Sequence, residues 1–494
     1  MARCGITKAN GTYDRNPAGT FIVKPDRRSV LAASLAAPAL GAAAEAQAAP
    51  QPVTRILARY IVNARTADMP ANVRREGCRT LLNYIGVAVG GSRHETVDHA
   101  IAALAPFSGK AEAALLGRRE RLDILNAALI NGISSHIFDY DDTHLKTIIH
   151  PAGPVVSAAL SLAQHRKASG ADFLLAMLLG IEAECRIGNA VYPSHYEMGW
   201  HITGSCGVFG AAAACGKLLG LGEQQMVWAL GIAASQPVGL KVQFGSMTKS
   251  FHPGRAAQNG LTAALLAAQN YTSDEAPLEG KDGWAQALSR AVDWREVTDG
   301  LGSRFEAALN TYKPFACGIV THPAIDAAIQ LRNENRLAPA DIAAVELRAN
   351  PLVLSLTGKT EPSTGLEGKF SIYHCIAMGL IYGAAGERQF QDGVVRDPAV
   401  IALRHKVTVH PDPQVGAAQC DLIVRLQDGR TISRHIEHAI GSLENPMSDA
   451  ALEAKFLDLA DGILPLAQTK ALIQKCWTIE RQDDAGELAR AAAL

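Results

Sequence analysis

Aromatic residues make up only 5% of the 494-residue chain, too few for the core of a sandwich or barrel. Abundant alanine points instead to closely packed helices. A dominant charge is missing too. Lys and Arg number 47 against 48 Asp and Glu, a formal net charge of -1, so the chain has no basic footprint and nucleic acid is not an expected partner. None of the nine cysteines sits in a C-x-x-C pair, and no H-x-x-x-H pair occurs on a helix, so no metal site is expected. Cys185, Cys206, Cys215, Cys375 and Cys476 lie in apolar helical surroundings and are expected as buried free thiols.

What the chain does have is length and apolar content. With 48% hydrophobic and 19% charged residues over 494 positions, it can bury two cores, and two domains with a terminal extension are expected. The extension is residues 1–48. There Arg27 and Arg28 precede the mild apolar run AASLAAPALGAAA and the small-residue site Ala46-Gln47-Ala48, the layout of a twin-arginine export signal. Its apolar run is too short to cross a bilayer, so the mature protein is expected in the periplasm without a membrane anchor. Cleavage removes six Lys/Arg and three Asp/Glu, leaving 41 against 45.

Titratable groups are densest in HIFDYDDTHLKTIIHPAGPVV, residues 136–156, between two apolar runs. Leu125, Ala128, Leu129, Gly132 and His136 fall at helical spacing, predicting a helix that delivers Asp139 at its C-terminal end. Pro151 and Pro154 open the next helix. Residues 139–150 are therefore expected as a loop or frayed turn, the kind of segment that presents catalytic groups or simply meets solvent. Further on, GWHITGS sets His201 just ahead of a Gly/Ala-lined helix whose first free N–H groups suit an anion. The stretch 235–260 reads as a loop carrying Lys241, Lys249, His252 and Arg255, cations suited to several carboxylates. Met247 and Phe251 frame Lys249, which predicts partial burial and a lowered amine pKa.

Helical period runs from Val53 to about Ala267. After YKPFAC at 312–317 the texture changes. IAAVELRAN, RHKVTVHPDP, CDLIVRLQDG and TISRHIEHAI read as strands, the last two joined by a turn at QDG, with a helix starting near Phe370 between the first and second. The expected fold is mainly α with an α+β second domain. It comprises a large all-helical domain over 53–310, a smaller α+β lid over 311–442, and C-terminal helices over 443–494 packing back on the helical domain.

In order from Val53 to Ile479, the segments DYDDT at 139–143 with His150-Pro151, GWHITG, FGSMTKSFHPGRAAQNG, YKPFACGIVTHP, EGKFSIYH and ENPMSDAALEAKF resemble the MmgE/PrpD family. That family includes 2-methylcitrate dehydratase, cis-aconitate decarboxylase and iminodisuccinate epimerase. The resemblance implies a homodimer and an active site between the domains that needs no metal or organic cofactor. It implies catalytic roles for Asp139, His150, His201 and Lys249, and substrate contacts from Thr143, Lys313, Tyr373 and His374. Two positions depart from the decarboxylase pattern: Gly318 stands where its lid histidine falls, and His374, beside Tyr373, where its active-site tyrosine falls. Both weigh against decarboxylation of cis-aconitate itself.

The expected function is a cofactor-independent lyase, a dehydratase that abstracts a proton α to a carboxylate of a small di- or tricarboxylate. Epimerisation and decarboxylation of the same substrate class are the alternatives. Two readings from other classes compete with it: a periplasmic polycarboxylate-binding protein, and a metal-dependent hydrolase using the Asp/His cluster as ligands.

Overall fold

Missing side chains decide how the helices of the first half come together. In the computed structural model, which describes residues 51–494, the central helices are α1 (Ala71–Gly91), α2 (Ile124–His136), α3 (Ala152–His165), α4 (Gly170–Val191), α5 (Ile202–Leu219) and α6 (Thr248–Ala268). The export signal expected over 1–48 lies outside the described residues. Helix α2 begins where the Asp123 carboxylate accepts the N–H groups of Leu125 and Asn126, satisfying two donors that a helix start leaves free. It crosses α6 at two glycines: a Cβ on Gly132 would stand 2.4 Å from the Gly254 Cα. Helix α5 meets α6 as closely, because a Cβ on Gly260 would be 2.6 Å from the Val208 carbonyl oxygen. Backbones at this separation pack densely, and the first crossing sets the end of α2 beside the start of α6.

The segment after α2 is more ordered than the loop expected. Asp142–His144 forms a short strand, β1, antiparallel to β2 (Asn310–Tyr312), with Asp142 opposite Tyr312 and His144 opposite Asn310. Three-residue strands carry too little alternation to be read from sequence. The pairing draws Lys313, the next residue after β2, to the carboxylates that follow α2. The 235–260 stretch also differs from expectation, since α6 starts at Thr248 and already carries Lys249, His252 and Arg255. Pro253 and Gly254 suggest a break. The helix nonetheless continues through them, and the missing proline N–H costs only the bond to the Lys249 carbonyl.

The second part contains α7 (His322–Asn335), β3 (Ile342–Ala349), α8 (Ile372–Tyr382), β4 (Val407–Pro411), β5 (Cys420–Leu426) and β6 (Thr431–Ile436). Sheet order is β4-β3-β5-β6, with β3 parallel to β4 and antiparallel to β5. The β5–β6 hairpin turns at Gly429, whose φ of 87° a side chain would resist. Leu422, Val424 and Leu426 alternate onto the inner face and share a core with Ile325, Ala328, Ile376 and Leu380. After the sheet, α9 (Asp449–Ala460) and α10 (Leu466–Trp477) pack against α1, where Phe456 lies in the space left by Gly86. The fold is a large helical body with a smaller α+β part. All eight cysteines among the described residues are buried and free of disulfides.

Candidate active site

The ends of α2, α5 and α6, the turn into β1, and Lys313 after β2 meet at one point. Asp139 has a φ of 49°, a left-handed conformation that aspartate tolerates, and it turns the chain off α2 toward β1. Its Oδ1 accepts from Lys249 Nζ at 2.9 Å and from Lys313 Nζ at 2.5 Å. Lys249 Nζ also donates to His136 Nε2 at 3.0 Å, and the His136 Nδ1–H donates to Asp141 Oδ2 at 2.5 Å. The buried groups therefore form a line: Asp141, His136, Lys249, Asp139, Lys313. The glycine crossing explains its centre, because His136 lies one helical turn past Gly132 and Lys249 just over one turn before Gly254.

Two more histidines face the same space. His150 donates its Nδ1–H to the Asp142 carbonyl at 2.7 Å, which leaves Nε2 with the lone pair. Its backbone N–H donates to Thr203 Oγ1 at 3.1 Å, fixing it to the first turn of α5. His201 is the N-cap residue of α5, and its Nδ1 lies 2.9 Å from Nδ1 of His252, so one ring donates and the other accepts.

Burial is the largest influence on each histidine. It pulls His150 down to about 3, with the Lys313 charge next in size, and takes His201 well below the usual range, with Lys249 adding to it. His136 is also lowered by burial, against the Asp141 carboxylate. These rings are neutral at neutral pH. Burial likewise lowers the Lys249 amine against the pull of Asp139. For Lys313 burial lowers, but Asp139 and Asp141 together outweigh it and hold the ammonium above its ordinary value. Burial alone would raise Asp139, yet the two ammoniums keep its carboxyl far below the usual range. Burial, aided by Asp141, pushes Asp142 up to about 7. The result is one ammonium held above its ordinary value, one amine lowered from it, and neutral rings with nitrogens open to a proton.

These groups line a small pocket between the helical body and the α+β part. The body contributes Asp139, His150, Tyr196, His201, Phe244 and Lys249; the other wall is Gly318, Ile319, Val320, Thr357 and Phe370, with Lys313 at the seam. Its free space of ≈ 30 Å³ holds roughly two waters, less than any tricarboxylate needs. Lys249 Nζ lies 5.3 Å from the ring centroids of both Phe244 and Phe370, which shield it from solvent.

Of the residues expected at the site, Asp139, His150, His201, Lys249 and Lys313 converge. Thr143 stands one layer behind, its hydroxyl 3.2 Å from His150 Nδ1. Tyr373 and His374 do not reach the cavity, a correction to the sequence reading. Ser371 caps α8 by accepting the His374 N–H, and the first turn carries the His374 ring onto Phe390, where its N–H donates to the Gln389 carbonyl. The residue that faces the cavity is Phe370, just ahead of the cap. Two of the expected loop cations also lie elsewhere: Lys241 rests over the Tyr196 ring, and Arg255 is exposed on α6. Sequence reasoning assigned no role to His136, Asp141 or Phe244. Only the position of His136 on the helical stripe with Gly132 pointed inward.

His136, His150 and His201, and separately Asp139, Asp141 and His150, are close enough to converge on one cation. The Lys249 and Lys313 ammoniums already occupy Asp139, and an added metal ion would face both positive charges. The cavity suits an anion.

A helical body, an α+β part closing on it, and a buried acid–base cavity walled by two lysines define an enzyme built for proton transfer. The chain belongs to the MmgE/PrpD family: the family's N-terminal domain matches residues 55–297 and its C-terminal domain matches residues 315–479. Similar proteins include a cis-aconitate decarboxylase-like protein of Aspergillus oryzae, 27% identical over 88% of this chain and 96% of the relative. The cis-aconitate decarboxylase of Mus musculus is 28% identical over 89% of this chain and 93% of its own. The 2-methylcitrate dehydratase of Cupriavidus necator is 24% identical, over 66% of this chain and 72% of its own.

Proposed function

We propose that the protein is a cofactor-independent lyase that removes the proton next to a carboxylate of a small tricarboxylate, with loss of water as the net reaction. The observation that carries this is the placement of Lys249: an amine lowered by burial, held between Asp139 and His136, at the wall of a cavity that also presents Lys313, His150 and His201. Lys249 takes the proton from carbon and Lys313 holds a carboxylate. As the electron pair moves into the neighbouring carboxylate, the ammoniums stabilise the added negative charge. His150 and His201 face the leaving hydroxyl, which takes one proton from solvent and departs as water.

Decarboxylation is the second reading, supported by the names of the relatives that are 27–28% identical. Gly318 weighs against it. That residue lines the cavity without a side chain, and Phe370 rather than His374 faces the cavity from the start of α8, so the lid offers no acid to protonate a product.

The test is incubation in heavy water with methylcitrate, citrate, cis-aconitate and substituted succinates, followed by NMR. Deuterium incorporation with loss of water is expected, and prolonged chelation should leave it intact. Release of carbon dioxide instead would move the assignment to the decarboxylase. Tight binding without exchange would make this a binding protein, and activity restored by one divalent ion after chelation would make it a metal enzyme.

We also propose export to the periplasm through the arginine pair, and a homodimer. Apolar exposure beside the site supports the dimer, since Val242 is 81% and Leu240 49% exposed around the strand bridge to Trp200. Val242→Glu should convert a dimer to monomer in light scattering; unchanged mass would remove that surface as the interface.

A further inference from the structure

Lys249 can accept a proton from carbon only when its nitrogen carries a lone pair, and Asp139 at 2.9 Å favours the ammonium instead. Some group must receive the amine's own proton first. His136 Nε2 lies 3.0 Å from Lys249 Nζ, and its other nitrogen is fixed as N–H on the Asp141 carboxylate at 2.5 Å. That geometry leaves Nε2 as an acceptor and pairs any imidazolium with a carboxylate as soon as it forms. The groups facing His136 are Asp141, Asp139 and Lys249, with the rings of His150 and His201 at 5.0 and 5.6 Å between centroids. Both carboxylates favour a protonated His136. The opposing charge, that of Lys249, disappears in the same transfer.

A second observation is independent of these bonds. Next to the substrate cavity, and sharing Asp139, Lys249 and Phe370 with it, a second space of ≈ 10 Å³ is lined by His136, Ser246, Ser250, Leu366 and Lys369 and has room for about one water. Ser246, Leu366 and Lys369 also line an open surface groove. His136 lines this second space and not the substrate cavity, so a proton held on it has a route to solvent past Ser246, Leu366 and Lys369.

We propose that His136, held by Asp141, is the positioning residue that unloads Lys249 in each turnover and passes the proton to solvent through the neighbouring space lined by Ser246, Leu366 and Lys369. The Lys249 Nζ–H bond breaks and the His136 Nε2–H bond forms, leaving a neutral amine beside an imidazolium–carboxylate pair. The substrate C–H bond then breaks, its proton joins Lys249 Nζ, and the electron pair moves into the substrate carboxylate. His136 returns its proton to the water behind it, and the cycle is balanced without any oxidant or reductant. This inference rests on Lys249 as the base in the proposed function.

The test compares His136→Gln and Asp141→Asn with wild type in the heavy-water exchange assay across pH. Gln still accepts from Lys249 but cannot take its proton; Asn keeps the contact to His136 without the charge. In both, exchange at neutral pH should fall about tenfold or more and recover to within about threefold of wild type near pH ~10, where solvent deprotonates Lys249 directly, with KM little changed. A uniform loss at every pH would mean a structural role and overturn the inference. A rate profile identical to wild type would overturn it as well. Should either variant fail to fold, His136→Asn is measured in the same assay and judged by the same two outcomes: a loss at neutral pH that recovers at high pH supports the relay, and a uniform loss or an unchanged profile refutes it. The underlying reading fails separately, by Lys249→Ala exchanging as fast as wild type.

Discussion

Replacing Lys313 with methionine tests how the two ammoniums divide their work. Lys313 Nζ donates to Asp139 Oδ1 at 2.5 Å and to the Asp139 carbonyl at 3.2 Å, and it lies 3.8 Å from Asp141 Oδ1. Removing one partner of a buried ion pair costs about 3–5 kcal/mol. Asp139 keeps Lys249, so about 3 kcal/mol is expected, read as a lower urea midpoint. The same change removes a positive charge that depresses the Lys249 amine, so the pH at which exchange switches on should move upward. It also removes the cation assigned to a substrate carboxylate. A charge-assisted hydrogen bond is worth about 1.5–3 kcal/mol, which translates to a rise in KM of roughly ten- to a hundredfold.

The pH window of the stability loss follows from the shifts. Lys313 has a raised pKa, so its contribution is present below its unfolded value and is lost as pH climbs through the folded one. Asp139 has a lowered pKa, so its contribution is present above its unfolded value and is lost as pH falls through the folded one. The difference between variant and wild type should therefore be flat from about pH 4 to about pH 10 and shrink outside that range. A variant with unchanged KM and unchanged urea midpoint would refute the placement of Lys313 in the cavity wall.

The crossing of α2 and α6 predicts that Gly254→Val is damaging, since its Cβ would stand 2.3 Å from the Leu129 carbonyl oxygen and neither backbone can yield. A loss of about 3 kcal/mol in chemical denaturation is expected, with reduced exchange as His136 and Lys249 separate; a neutral variant would mean the helices slide freely. Asp142, raised to about 7 by burial and Asp141, favours the fold in its protonated form, so that contribution is lost as pH rises through about 7. Asp142→Asn should accordingly gain on wild type between pH ~5 and pH ~8 in thermal melts, and a constant difference across that range would show that Asp142 is not held neutral. His201→Ala should lower exchange at least ~100-fold if the ring handles a proton, whereas a change confined to KM would make it a binding group. Arg27→Lys with Arg28→Lys should leave precursor in the cytoplasm, and full periplasmic recovery of the mature chain would dismiss the pair as an export signal.

Long-period signals carried the fold. Apolar spacing from Leu125 to His136 gave α2, and alternation in CDLIVRL with the QDG turn gave the β5–β6 hairpin, because burial on one face imposes a period that survives in sequence. Where a partner distant in sequence decides the local structure, the reading failed. Strand β1 exists because residues 310–312 lie alongside it. Helix α6 runs through Pro253 and Gly254 because Gly132 packs there. The site followed the same division. Asp139, His150, His201, Lys249 and Lys313 stand in motifs dense in chemical groups, whereas His374 was misplaced by the direction of one helical turn, which the Ser371 cap sets. His136 was given no role, because that role rests on a nitrogen of Lys249 that is distant in sequence.

Lys455 on α9 donates to Asn83 Oδ1 and to the carbonyls of Tyr140 and Lys313, so the chain's last third nails Lys313 to the helical body. Two residues later, Phe315 and Cys317 already belong to the other core. The seam between the two parts thus falls close to Pro314, whose carbonyl accepts the Tyr140 hydroxyl. Every charged group that lines the substrate cavity stands on the body or at the seam, while Gly318, Ile319, Val320, Thr357 and Phe370 on the other side carry no charge. Recognition is therefore split in a way that matters for redesign. The body reads the carboxylates, and the uncharged wall reads the remainder of the substrate by shape alone, so new substituents can be admitted by recutting that wall with the acid–base line left untouched.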